Sequence, residues 1–131
     1  MNPLPLVATD AQLIAAVDAW VLLLEQRRYD EAFALMPSAD AAGWSGAALR
    51  KIVETGYGEA RPGQGVTLHG KPTDVVQRKE VSRWPVNRRG ASGEVWYDLN
   101  IDGLASDLTA TFDVCEAGGG LVLRLSDLHV M

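Results

Sequence analysis

Hydrophobic positions change their period along this chain. In the first half they return every three to four residues, as on the buried stripe of a helix. In the last third they return every second residue, as on one face of a strand. The alternation is plainest in Glu94-Val-Trp-Tyr-Asp-Leu-Asn-Ile, in Leu108-Thr-Ala-Thr-Phe-Asp-Val and in Leu121-Val-Leu-Arg-Leu-Ser-Asp-Leu-His-Val. Asp102-Gly103 separates the first two runs and Gly118-Gly-Gly120 the last two, turn chemistry that supplies positive φ at low cost. The pattern predicts a three-stranded antiparallel meander.

Upstream, Thr9 and Gln12 have the spacing of a capping box and predict a helix start. Leu13, Ile14, Val17, Trp20, Val21 and Leu24 then share one face, with Asp18 and Glu25 off it. After a bend at 26–28, Tyr29-Asp-Glu-Ala-Phe-Ala-Leu-Met resumes the helical period, with Tyr29, Phe33 and Met36 inward and Pro37 as the stop. A polar link over 38–43 leads to a third helix from Ser45. Trp44 and Leu49 are set as a hydrophobic staple there, Leu49, Ile52 and Val53 form the stripe, and Gly56 is the expected C-cap. Residues 57–70 are glycine-rich loop around at most one short strand, Val66 to His69, either an ordinary connection or a lid over a cleft. Residues 73–86 keep no single period, though Trp84-Pro85-Val86 reads as extended. This segment is predicted to pair with the run from Glu94 through the loop Asn87-Arg-Arg-Gly-Ala-Ser-Gly.

Three helices followed by about four antiparallel strands predict an α+β fold, with N-terminal helices packed on one face of a curved sheet. The 131 residues suit one domain over 1–131, helices at about 9–56 and sheet at about 65–131. The expected helix-facing side carries Val95, Tyr97, Leu99, Ile101, Leu108, Ala110, Phe112, Val114, Leu121, Leu123 and Leu125. The opposite side carries Trp96, Asp98, Asn100, Thr109, Thr111, Asp113, Val122 and Arg124. Trp96 and Val122 would form a costly wet patch, which makes that side a candidate dimer surface.

Composition narrows the class. A 47% hydrophobic fraction with scattered charge is that of a soluble globular chain. The apolar stretch from Leu13 to Leu24 is too short and too charged to span a bilayer, and no basic segment precedes it as in a secretory signal. Cys115 is the one cysteine, so no internal disulfide is expected. A cytoplasmic location is the default. The net charge of −5 is unevenly spread. Lys71, Arg78, Lys79, Arg83, Arg88 and Arg89 crowd one segment against Asp74 and Glu80. From Glu94 onward seven acids face Arg124 alone. Such polarity orients a molecule on a charged partner, unless the arginines simply pair with neighbouring carboxylates.

A long first helix, a second helix opening Tyr29-Asp-Glu-Ala-Phe, a short third helix and a curved sheet at the end together resemble the nuclear-transport-factor-2-like (cystatin-like) superfamily. The ending, Ser106-Asp-Leu-Thr with Asp127-Leu-His-Val, is similar to that of its bacterial domains of unknown function. The resemblance implies a cone-shaped pocket between helices and sheet. It spans isomerases, dehydratases, polyketide cyclases, non-catalytic subunits and toxin-neutralising immunity proteins, so it fixes no function.

An acid–base enzyme of that shape needs a carboxylate or histidine inside the pocket. The helix-facing set holds none, unless the last strand keeps its period past Leu125. In that case Asp127 and His129 point inward as a carboxylate–imidazole pair. A bulge at Ser126 would instead turn Leu128 and Val130 inward and the pair outward, and the apolar character of Leu128 and Val130 favours the bulge. Asp18 and Tyr29 are further candidates for the rim.

Other chemistries lack their residues. His69 and His129 are far apart and no paired-cysteine spacing exists, so neither a metal nor another cofactor is expected. Gly118-Gly-Gly120 leads into a strand rather than a phosphate-binding helix start. No base accompanies a serine or cysteine nucleophile, and Cys115 reads as a small hydrophobe. The acidic remainder argues against nucleic acid.

The reading is therefore a domain that binds a partner protein, possibly as a toxin-immunity factor, or a small apolar ligand, and is expected to be a homodimer. The pocket would be lined by Trp20, Tyr29, Phe33, Tyr97 and Phe112, and the interface built on Trp96, Asp98, Asp113 and Arg124. The alternative is a small-molecule isomerase, dehydratase or cyclase using Asp127 and His129 inside the cone.

Overall fold

In a computed structural model, described for residues 3–37, 44–54, 66–67, 78–88, 90–101 and 104–130, the change of hydrophobic period coincides with a change of secondary structure. A two-residue strand, β1 (Leu4–Pro5), precedes α1 (Asp10–Glu25), α2 (Tyr29–Leu35) and α3 (Gly46–Glu54). The strands β2 (Val66–Thr67), β3 (Lys79–Arg88), β4 (Ala91–Ile101), β5 (Leu104–Ala117) and β6 (Gly120–Val130) follow. All join one curled antiparallel sheet in the order β1-β6-β5-β4, with β2 and β3 both pairing with β4. The fold is α+β, three helices packed on that sheet.

Local chemistry sets the ends of α1. The Thr9 hydroxyl accepts from the Gln12 amide at 3.2 Å, and the Gln12 side chain accepts from the Thr9 amide at 2.8 Å, completing the capping box. Leu13, Val17, Trp20, Val21 and Leu24 are buried along its inner face. Ser45 begins α3, its hydroxyl accepting from the Ala48 amide at 3.1 Å. The Asp102-Gly103 turn, the Gly56 cap, the 38–43 link, most of the 57–70 loop and His69 lie outside the described residues.

The expected inner face is buried at Val95, Tyr97, Leu99, Leu108, Ala110, Phe112, Val114, Leu121, Leu123 and Leu125. Trp20 meets Phe112 edge-on, with ring centroids 5.0 Å apart, at the centre of the core. The β3–β4 connection is tighter than the sequence suggests: strand runs to Arg88 and resumes at Ala91. A register shift between Arg83 and Arg88 absorbs the irregular period, and Gly90, at φ +80°, makes the turn. At the β5–β6 hairpin Gly118 and Gly119 take φ of +61° and +78°, the conformation that the triple glycine allows.

The decisive irregularity is in β6. Asp127 pairs with Thr111 while Leu125 pairs with Phe112, so Ser126 is an extra residue in the ladder. Leu128 is 1% exposed and belongs to the core, whereas Asp127 is exposed on the other side. The Leu125 amide also donates 2.9 Å to the Pro37 carbonyl, tying the end of α2 to the strand just before the bulge.

The bulge predicts an asymmetry between neighbours. Leu128→Ala should cost about 2–5 kcal/mol in urea unfolding, the range for emptying a packed core position, while Asp127→Ala should stay within about 0.5 kcal/mol. Equal effects would mean that the phase break is misplaced.

Candidate functional site on the outer sheet face

Because Ser126 reverses the phase of β6, residues from four strands share the face away from the helices. Cross-strand pairing sets them in rows. Ser82, Glu94, Asp113 and Arg124 form one row, Glu80, Trp96, Thr111 and Asp127 the next, and Asp98, Thr109 and His129 a third. Arg78 joins the third row through its carbonyl, which accepts from the Asp98 amide at 2.9 Å. The candidate catalytic pair, Asp127 and His129, and the candidate interface residues, Trp96, Asp98, Asp113 and Arg124, thus occupy one surface.

Asp98 is the hub of that surface. Its Oδ1 accepts from the Trp96 indole N–H at 2.9 Å and from the Thr109 hydroxyl at 2.8 Å. Hydrogen bonds to a carboxylate are each worth roughly 1.5–3 kcal/mol, enough to hold the half-buried indole in one orientation. The Arg78 guanidinium stacks 4.4 Å from the Trp96 ring centroid and pairs with Glu80 at 2.8 Å. Thr109 and Thr111 are buried although they face outward. The face is therefore a fixed relief rather than a set of loose surface chains.

His129 and Asp127 meet here, with Nδ1 3.0 Å from Oδ2. The other Asp127 oxygen accepts from the Leu128 amide at 2.9 Å. The His129 side chain is 36% exposed and that of Asp127 54%, so the pair stands at the surface rather than in the helix-covered interior. Charge on this face is mainly negative: Glu80, Glu94, Asp98, Asp113 and Asp127 against Arg78, Arg124 and His129. Glu94 stands opposite Asp113 across β4 and β5. Burial, with Asp113 adding repulsion, raises its carboxyl above the ordinary carboxylate range.

The proposed pocket residues are core. Trp20, Tyr97 and Phe112 are at most 1% exposed, Tyr29 is 7% exposed, and Phe33 packs partly buried against the same cluster. Asp18 lies at the seam where α1 meets β3 and β4. It accepts a hydrogen bond from the Tyr97 hydroxyl, and Lys79 Nζ lies 3.5 Å from its Oδ1 and 4.6 Å from the Tyr97 ring centroid. No cluster of three or more potential metal ligands occurs among the described residues, and no described helix is long and apolar enough to cross a membrane.

Two residues of this face, and one at the α1 seam, escaped the sequence reading. Arg78, Glu80 and Lys79 sit where no hydrophobic period was visible, and only the known register of β4 reveals that Glu80 opposes Trp96. Three basic residues of that segment are also ion-paired: Arg78 with Glu80, Lys79 with Asp18, and Arg83 with Asp10 at 2.9 Å. Comparison with known protein families, with curated proteins and with solved structures returns no match to this chain.

Burial first, then Asp18, pushes the Tyr97 hydroxyl well above its ordinary value of 10.0. The unfolded chain releases this proton above about pH 10 while the folded chain retains it, so Tyr97 makes stability fall as pH rises beyond that point. Tyr97→Phe should remove that component of the alkaline loss, read as a shallower decline of denaturation midpoint from pH 9 to pH 11. An unchanged slope would mean that Tyr97 titrates normally.

Proposed function

We propose that this chain is a non-catalytic binding domain that presents its outer sheet face to a basic protein partner. The observation that carries the reading is the Trp96 indole, half-exposed yet locked by Asp98 beneath and Arg78 above. Large aromatic side chains held in their bound orientation are the usual anchors of protein interfaces, because little entropy is lost when they are covered. The surrounding excess of carboxylates supports a cationic partner, and the facing Glu94 and Asp113 favour one further, since a cation laid across them relieves their repulsion.

Within this class a toxin-immunity role remains the reading with the clearest charge logic, and the nuclear-transport-factor-2-like resemblance is compatible with it. A homodimer through this face is less favoured, because two-fold symmetry would bring two acidic surfaces together. A small apolar ligand in the interior is less favoured too, since Trp20, Tyr97 and Phe112 occupy that space themselves. The Asp127–His129 contact supports a second reading, a surface acid–base pair, but its side chains, His129 at 36% and Asp127 at 54% exposed, stand on a sheet face rather than enclosed with a substrate.

The test is capture from an extract of the native cells by immobilised protein. The reading predicts a basic protein released by moderate salt, with binding weakened at least tenfold, about 1.4 kcal/mol, by Trp96→Ala and by Asp113→Lys. Lys51→Ala, at an exposed position of α3, should leave it unchanged. Equal capture by all four proteins would remove the outer face from consideration.

A further inference from the structure

We propose that the cleft between α2 and α3 binds a small phosphate- or carboxylate-bearing molecule through Arg27 and Arg50. It lies on the helical layer and is independent of the outer-face reading. A cavity of about 310 Å³ opens there, lined by Arg27, Tyr29, Asp30, Gly46, Ala47 and Arg50. That volume is at the small end for organic ligands and suits a metabolite rather than a polymer.

Two features of the cleft support this assignment. The first is the donor set. Arg27 and Arg50 are both exposed, and a guanidinium carries five donors in a planar fork matched to phosphate and carboxylate oxygens. Asp30 is the cleft's acid, and it is turned towards the start of α3: a Cβ placed on Gly46 would sit 2.0 Å from its Oδ1. Glycine at 46 lets the two helices close on this floor, while Arg27 and Arg50 form the rim.

The second feature is backbone strain. The Arg27 amide donates to the Leu24 carbonyl at 3.0 Å and the Arg28 amide to the Leu23 carbonyl at 2.9 Å, the bond pair of a Schellman ending. This turn sets Arg27 at φ +59°, and no other non-glycine among the described residues has positive φ. Glycine is the usual occupant of that position, because a Cβ is penalised in the left-handed region. An arginine there weakens the fold, and its side chain lines the cleft. Strain retained at a cavity wall is the pattern of a residue kept for binding.

The test is a ¹H–¹⁵N NMR titration of the full chain at constant ionic strength, with inorganic phosphate in one arm and acetate in the other. Saturable shifts confined to Arg27, Tyr29, Ala47 and Arg50 are expected, in the phosphate arm for a phosphate site and in the acetate arm for a carboxylate site. Arg50→Gln should weaken binding at least tenfold. Arg27→Gly should weaken it as much while raising the melting temperature by roughly 3–5 °C, a gain that a merely structural arginine would not give. No saturation in either arm, affinity unchanged in both variants, or a lower melting temperature for Arg27→Gly would overturn the proposal.

Discussion

One extra residue in the last strand decides which chemistry this domain keeps inside and which it shows. Up to Leu125, β6 sends its odd-numbered side chains into the core. Ser126 then occupies the ladder without a partner, and the even-numbered Leu128 takes over the inner position. Without that slip Asp127 and His129 would be pressed among Trp20, Phe112 and their neighbours, where a charged pair carries a desolvation cost of several kcal/mol per ion. The slip keeps the interior apolar and adds a carboxylate and an imidazole to the outer face. The Leu125 amide, bonded to the Pro37 carbonyl, couples this break to the helical layer.

The helices are held on the sheet by apolar packing, with two polar contacts at the α1 seam that fix how they sit. Arg83 reaches both the Asp10 carboxylate and the Ala8 carbonyl, at 2.9 Å each, which aligns β3 with the start of α1. Farther along, Asp18 holds the Tyr97 hydroxyl beside Lys79. Both contacts draw on the basic segment, so several of its charges serve the fold. The outer face is the acidic one, centred on an indole whose position is set by Asp98 and Thr109.

Much of this arrangement was written in local pattern. The Thr9–Gln12 capping box, the α1 stripe and the inner face from Val95 to Leu125 follow from periods of 3.6 and 2 that the packing respects. The bulge was visible as a conflict of phase, since Leu128 and His129 cannot both be inside. The β3 segment was not legible, because its register shift breaks the alternation and its side chains are chosen by partners far away in sequence: Asp10, Asp18 and Trp96. The unity of the outer face was hidden for the same reason. Trp96 and Asp98 on one side, and Asp127 and His129 on the other, become neighbours only through β5, whose Thr109 and Thr111 look unremarkable in a strand. The α2–α3 cleft depends on the left-handed backbone of Arg27, which no residue pattern announces.

The most direct measurement of this division between faces is the set of NOEs from the His129 ring in ¹³C-labelled protein. With the slip at Ser126, the ring protons should show cross-peaks to the Thr109 methyl group, its register partner across β5, and none to the Trp20 indole. Cross-peaks from His129 to Trp20 or Phe112 would put the imidazole in the core, and would contradict both the filled apolar interior and the outward placement of the Asp127–His129 pair.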